Sequence, residues 1–188
     1  MTSSTFGKST SHLYFIALLP PAKIRKEIEA FKKELKESYR IKHALKLPAH
    51  ITLQIPFRMQ EKKEPVLIRN LLKFAKDKRS FQVSLSGFGK FSQNVIFVKV
   101  SEHRPVIDLF EDLQSNLAQI LDLKNHEKAA RIHPHITIAS RDLKTEVFPE
   151  IWAVFKDRNY QSSFRADSIH LFRHNGKTWD ILRKIDLH

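Results

Sequence analysis

The 188-residue chain carries 33 Lys+Arg against 20 Asp+Glu, a formal net charge of +13 with its ten histidines counted as neutral, and it has no cysteine. That length suits one compact domain with a real core, and a composition of 41% hydrophobic and 28% charged residues is globular rather than disordered. Disulfides, thiolate nucleophiles and Cys-ligated zinc are excluded, while the basic excess makes a polyanion the natural partner without choosing between nucleic acid, nucleotide and mere solubility.

Residues 1–11 are polar and aperiodic, so a flexible N-terminal tail is expected there, followed by a single domain over 12–188. The apolar run His12 to Leu19 has only Lys8 upstream and ends in Pro20-Pro21, which reads as a buried strand rather than a signal peptide. There is no 18-residue apolar run. No membrane helix is therefore expected, and a cytoplasmic location is the default.

After the prolines, Ile24, Ile28, Phe31 and Leu35 recur at helical spacing, and the Lys-rich outer face with Lys32, Lys33 and Lys36 reads as solvated. From His50 to Phe57 the residues alternate as a strand does, with Ile51, Leu53 and Ile55 on one face and His50, Thr52 and Gln54 on the other. A helix follows at "EPVLIRNLLKFAKDK", then a strand at "SFQVSLSGF", a turn over Gly87 to Ser92, and a hairpin partner at "NVIFVKV".

The second half repeats this grammar loosely. Apolar residues at Ile107, Phe110, Leu113, Leu117 and Ile120 predict a helix, His133 to Ala139 a strand, and 144–155 a short helix. The ending reads as two strands about a type I′ turn at Asn175-Gly176. Together these elements predict the α+β class: two pseudo-symmetric lobes of mostly antiparallel sheet, helices packed outside, and a cleft between the lobes.

The tripeptide His-Ile-Thr occurs at 50–52 and again at 135–137, each time just after a proline or a Pro-Ala pair and inside an alternating run. A lone strand histidine is more often a packing group than a catalyst, but packing gives no reason to repeat a polar pair on one face. If the lobes are related by a pseudo-twofold, His50 and Thr52 can face His135 and Thr137 across the cleft. One neutral imidazole could then accept a proton while the other, protonated, donates one, and the hydroxyls could bond a phosphate's non-bridging oxygens. No metal or other cofactor is needed for that chemistry. His133-Pro134-His135 also invites a metal reading, but no nearby carboxylate completes a ligand set and the first His-Ile-Thr would be left unexplained.

A pair of His-x-Thr-hydrophobic motifs, one per half of a chain of this size, resembles the two-histidine phosphoesterase superfamily, in particular its bacterial 2′-5′ RNA ligase and RNA 2′,3′-cyclic phosphodiesterase branch. The resemblance implies metal-independent opening of a 2′,3′-cyclic phosphate, on an RNA end or a nucleotide, to a 2′-phosphomonoester, with a reversible 2′-5′ ligation in some relatives. It makes His50 the proton donor, His135 the proton acceptor, and Thr52 and Thr137 phosphate ligands; the residues themselves assign neither histidine its role. The branch often places Arg-Pro before its second motif, where this chain has His133-Pro134, and Phe-Leu-Gly after its first, where this chain has Ile55-Pro56-Phe57-Arg58. Arg58, Arg131 and Arg141 are candidates to supply the missing cation, and His133 can reach the cleft. Tyr14, Phe15 and Phe57 are candidates to stack on a base. A monomer is expected, and a fold kept to hold a nucleotide or RNA end without turnover is the alternative.

Overall fold

The computed structural model describes residues 10–129 and 131–188. The elements run β1 (Ser11–Leu18), α1 (Ala22–Tyr39), β2 (Ile51–Gln60), α2 (Glu64–Lys76), β3 (Phe81–Phe91), β4 (Val95–Val100), α3 (Arg104–Ala118), β5 (His135–Ala139), α4 (Phe148–Phe155), β6 (Gln161–Ala166), β7 (Ser168–His174) and β8 (Trp179–Asp186). A short 3-10 turn, His43–Lys46, stands between α1 and β2.

The strands form two four-stranded antiparallel sheets, one ordered β2-β1-β7-β8 and the other β5-β4-β3-β6. Each sheet takes two strands from each half of the chain, so the lobes are interleaved rather than being the two halves themselves. This explains why no linker is visible in the sequence: the main apolar core is shared, running from Ile16, Leu53 and Leu171 of the first sheet to Val83, Val98 and Ile136 of the second. None of the described helices is long and apolar enough to cross a membrane.

Local chemistry sets several boundaries. α1 begins after Pro21, buries Ile24, Ile28 and Leu35, and ends where Arg40 turns left-handed at φ 61°, its N–H and that of Ile41 bonding back to Lys36 and Leu35. β2 slips register twice against β1, between Thr52 and Gln54 and again between Gln54 and Phe57, so its alternation is interrupted just beyond the first motif. Glu127 holds the bulged stretch by accepting the Arg58 N–H at 2.7 Å, while the Gln54 amide donates to the Glu127 carbonyl, also at 2.7 Å.

Several sequence expectations need correction. β3 continues to Phe91 and the reversal falls at 92–94; Gly87, at φ 63°, lies within the strand where the register against β4 slips. The ending is three strands, because the chain leaves the second sheet at Asp167 and enters the first as β7. The β7–β8 connection is a four-residue loop, not a two-residue turn: the Asn175 side chain accepts the N–H groups of Lys177 and Thr178 at 2.9 and 2.8 Å. The helix predicted over 144–155 is confined to Phe148–Phe155. Of the expected tail, residues 1–9 lie outside the described residues, and Ser11 already belongs to β1.

Candidate functional site

The two His-Ile-Thr segments end up on the outer edges of the two sheets, since β2 is terminal in one and β5 in the other, and these edge strands lie against each other. His50 and His135 are held in the same way. The Nδ1 of His50 is 2.8 Å from the carbonyl oxygen of Pro48, and the Nδ1 of His135 is 2.6 Å from that of His133. A carbonyl oxygen can only accept, so Nδ1 carries the proton in each ring and Nε2 is left free to give or take one. Both rings are half-buried.

An aromatic floor lies under each ring. Phe15 on β1 is 5.3 Å from His50, stacks on Phe172 at 4.3 Å and meets the edge of Trp179 at 4.7 Å. On the other sheet Phe97 and Phe91 both lie 4.9 Å from His135. Gly89 pairs with Phe97 across the strands, and a Cβ there would come within 2.5 Å of the Phe97 ring. The glycine is what lets that ring lie across the sheet and support His135.

A third device sits behind His50. Lys32 on α1 is only 3% exposed, and its ammonium donates to the carbonyls of Ala44 and Leu47 at 2.9 and 3.0 Å. It thereby ties the 3-10 turn to the helix just ahead of Pro48 and His50. Burial pushes its pKa down to about 8. The Asp142 carboxylate fastens the same turn from the other sheet, accepting the N–H groups of Lys42 and His43 at 2.8 Å each.

In front of His50 a groove of about 420 Å³ is walled by Thr52, His43, Lys46, Arg141, Lys177 and Trp179, among others. Among the described residues no carboxylate lines it. Desolvation, followed in smaller part by the charges of Lys32 and His135, pushes the His50 imidazole down to about 4. The His135 imidazole is lowered as well, mainly by burial. His43 is lowered by burial, then by Arg141 and Lys46. The site is therefore rich in fixed cations, disfavours the charged form of its imidazoles, and has Thr52 and Thr178 on its wall. Among the described residues neither the Thr52 nor the Thr137 hydroxyl has a hydrogen-bond partner, and no cluster of three His, Asp or Glu side chains is placed to share a metal ion.

Of the residues singled out in the sequence, His50, Thr52 and Arg141 share this groove. His135 and Thr137 stand on the facing edge strand, near enough for the charge of His135 to be felt at His50. His133 is exposed, edge-on to Phe91, Phe97 and His103, and its carbonyl orients His135. Arg58 faces the same way as Thr52 but lies beyond Pro56 and outside the groove, and Arg131 is exposed away from it.

Two of the three proposed stacking residues are misplaced: Tyr14 and Phe57 are fully buried in the main core, Tyr14 bonded to Glu64 at 2.7 Å. Only Phe15 borders the groove. The reading of Lys32 as solvated is also wrong, because the helix face it shares packs against the turn before β2. His43, Lys46, Lys177 and Trp179 were missed; they come from irregular segments or strand ends where no periodicity marks them.

The chain is similar to known proteins in both sequence and fold. A candidate phosphoesterase of Geobacillus sp. (strain WCH70) is 26% identical over 161 residues, covering 84% of this chain and 86% of its own. Another from Halalkalibacterium halodurans is 24% identical over 180 residues, covering 93% and 96%. Among solved structures, E. coli LigT complexed with 3′-AMP superposes with a TM-score of 0.67 at 20% identity over 95% of this chain and 99% of its own, a likeness of fold. The sequence model of the 2′-5′ RNA ligase superfamily matches residues 20–178. With both the fold and most of the sequence in agreement, this chain belongs to the 2′-5′ RNA ligase superfamily of phosphoesterases.

Proposed function

We propose that the protein is a metal-independent phosphodiesterase that opens a 2′,3′-cyclic phosphate, at an RNA end or on a nucleotide, to a 2′-phosphomonoester. The observation that carries this reading is the matched pair of imidazoles, each with Nδ1 tied to the carbonyl two residues back and Nε2 free, on adjacent edge strands. In the reaction Nε2 of His135 takes a proton from water, whose oxygen attacks phosphorus. The P–O3′ bond breaks, and Nε2 of His50 gives its proton to the departing O3′. Thr52 and Thr137 donate to the non-bridging oxygens, and Arg141 and Lys46 offset the charge that grows there.

The fold disfavours the charged form of His50, so the ring needs a neighbouring anion to hold its proton. The phosphate is that anion: a negative charge beside the ring favours the imidazolium and raises its pKa. His133 supports the site through its carbonyl, which holds the His135 ring, while Arg58 is not among the residues that line the groove. E. coli LigT, which shares this fold, has been solved in complex with 3′-AMP, NADP+ and ATP, which supports a nucleotide as a ligand here. The single domain, beginning at β1, would act as a monomer in the cytoplasm.

The test is to incubate the protein with an oligoribonucleotide ending in a 2′,3′-cyclic phosphate, in EDTA, and identify the product. A 2′-phosphomonoester is expected. Tight binding with no product would make the protein a nucleotide-binding module of the same fold, and activity that is lost in EDTA and restored by zinc would replace the mechanism with a metal-assisted one.

A further inference from the structure

On the far side of the 3-10 turn from His50 lies a second groove, about 440 Å³, that shares Lys46, Leu47, Thr178 and Trp179 with the first. It contains neither motif histidine nor motif threonine. Its charged wall comes from α1, with Arg25, Lys26, Glu29 and the buried Lys32, and the rest is apolar, with Ala22, Leu45, Pro48 and Ala49. Glu29 is engaged by Lys33 at 3.0 Å, whereas Arg25, Lys26 and Lys46 have no acidic partner among the described residues. The two grooves are thus continuous over a rim made of one cation, Lys46, and one half-exposed indole, Trp179, whose ring is braced by Phe15 and by His174 at 5.0 Å.

Opposite charges at i, i+4 support one another on a helix, as Glu29–Lys33 and Arg104–Asp108 do here, and Arg25 and Lys26 make no such pair among the described residues. An unpaired cluster in a concavity is the arrangement that neutralises phosphates, and an aromatic ring between cations is what single-stranded nucleic acid stacks on. A mononucleotide occupying the first groove would leave the second unused.

Resting on the reading of the first groove as the cyclic-phosphate site, we propose that the substrate is a polynucleotide: the terminal nucleotide sits at His50, the chain crosses Trp179, and the preceding phosphates lie against Lys46, Arg25 and Lys26. The second groove is a strand-binding subsite, and the protein is selective for RNA ends over free cyclic nucleotides.

The experiment compares kcat/KM for a 2′,3′-cyclic mononucleotide and for an oligoribonucleotide with the same cyclic end, over a range of salt, in the parent and in R25Q/K26Q. Lys26 is exposed, Arg25 is half-buried on the groove wall, and neither belongs to the buried stripe of α1, so the double variant keeps the helix. The parent should prefer the oligonucleotide by at least about tenfold, with rates falling steeply as salt rises. The variant should lose most of that preference, and its salt slope should shrink by about 0.7 for each phosphate contact removed. Turnover of the mononucleotide should be the same in both proteins. Equal turnover of the two substrates by the parent, or an unchanged preference in the variant, would overturn the subsite.

If neither substrate is turned over, the reading of the first groove has failed. Fluorescence anisotropy with a labelled oligonucleotide lacking the cyclic end then tests the second by itself. Salt-sensitive binding weakened in R25Q/K26Q would uphold it, and equal binding by the two proteins would refute it.

Discussion

His50 directs Nδ1 at the carbonyl oxygen of Pro48, 2.8 Å away, and so commits its other nitrogen to whatever enters the groove. This separates two roles within one ring. Asn at position 50 can keep a donor near Nδ1 but presents nothing at Nε2. The variants His50→Asn and His50→Ala should therefore both fold and both lose about 10² to 10⁴ in kcat/KM, with the corresponding changes at His135 doing the same. The double variant should be little worse than either single, because the histidines act as a unit. Steady-state rates with thermal melts as the folding control check this; near-parental activity in His50→Asn would refute the role of Nε2.

The pH dependence should differ between free protein and complex. Within the fold both histidines are shifted below their ordinary value, His50 to about 4, so the optimum of kcat/KM should lie on the acid side of 6.5. Bound phosphate raises both, so the kcat optimum should be more alkaline. Paired pH profiles of the two parameters decide it, and coincident optima would contradict the proposed proton uptake.

Stability should also fall with acid. His50 and His170 are both pushed down to about 4 in the fold, mainly by burial, against about 6.5 in the unfolded chain. Between those values the unfolded chain binds protons that the fold refuses, so stability is full above about 6.5 and drains away toward 4. His170 has an unpaired Nδ1 and faces Arg25, Lys184, Asp167 and Asp186. Urea midpoints measured across this range should drop in the parent and drop less in His170→Leu; parallel curves would count against the assignment.

Lys32 was expected to be solvated, yet its buried ammonium secures the turn that carries Pro48. Lys32→Met strips the donor from two part-buried carbonyls, at about 1–3 kcal/mol for each acceptor left alone, offset in part by relief of a desolvated charge. The melting temperature should fall by at least about 2–4 °C. Loss of the nearby charge should raise the pKa of His50, which an NMR titration of the ring would show. An unmoved midpoint would leave Lys32 as a structural group alone.

Gly89→Ala tests the floor under His135. The added Cβ meets the Phe97 ring at 2.5 Å, so the ring must shift and the strain should cost about 1–3 kcal/mol. The rate should fall more than in Phe15→Leu, which alters the floor of His50 without displacing strand-paired atoms. Equal rates in Gly89→Ala and parent would show that Phe97 does not position His135.

The sequence was most informative where a period or a repeat existed. α1, α2, α3 and the motif strands follow from apolar spacing, and the repeated His-Ile-Thr marks both halves of the site. What it could not show depends on tertiary pairing. β6 and β7 read as one strand because both continue the same apolar alternation, and only the division between sheets at Asp167 separates them. Lys32 lies four residues after Ile28 and three before Leu35, on the inward stripe of α1, so the spacing places it inside and only its charge makes it read as solvated. The groove walls at Lys46, Lys177 and Trp179 come from turns and strand ends, which carry no periodicity.

The convergence of two imidazoles on a single phosphate is tested most directly by following the ring resonances of His50 and His135 while inorganic phosphate or a 2′-nucleotide is added at fixed pH. Both signals should move toward the protonated position with the same midpoint, and each should move less when the other histidine is replaced. Movement of only one ring, or two rings responding with unrelated midpoints, would contradict a shared phosphate site.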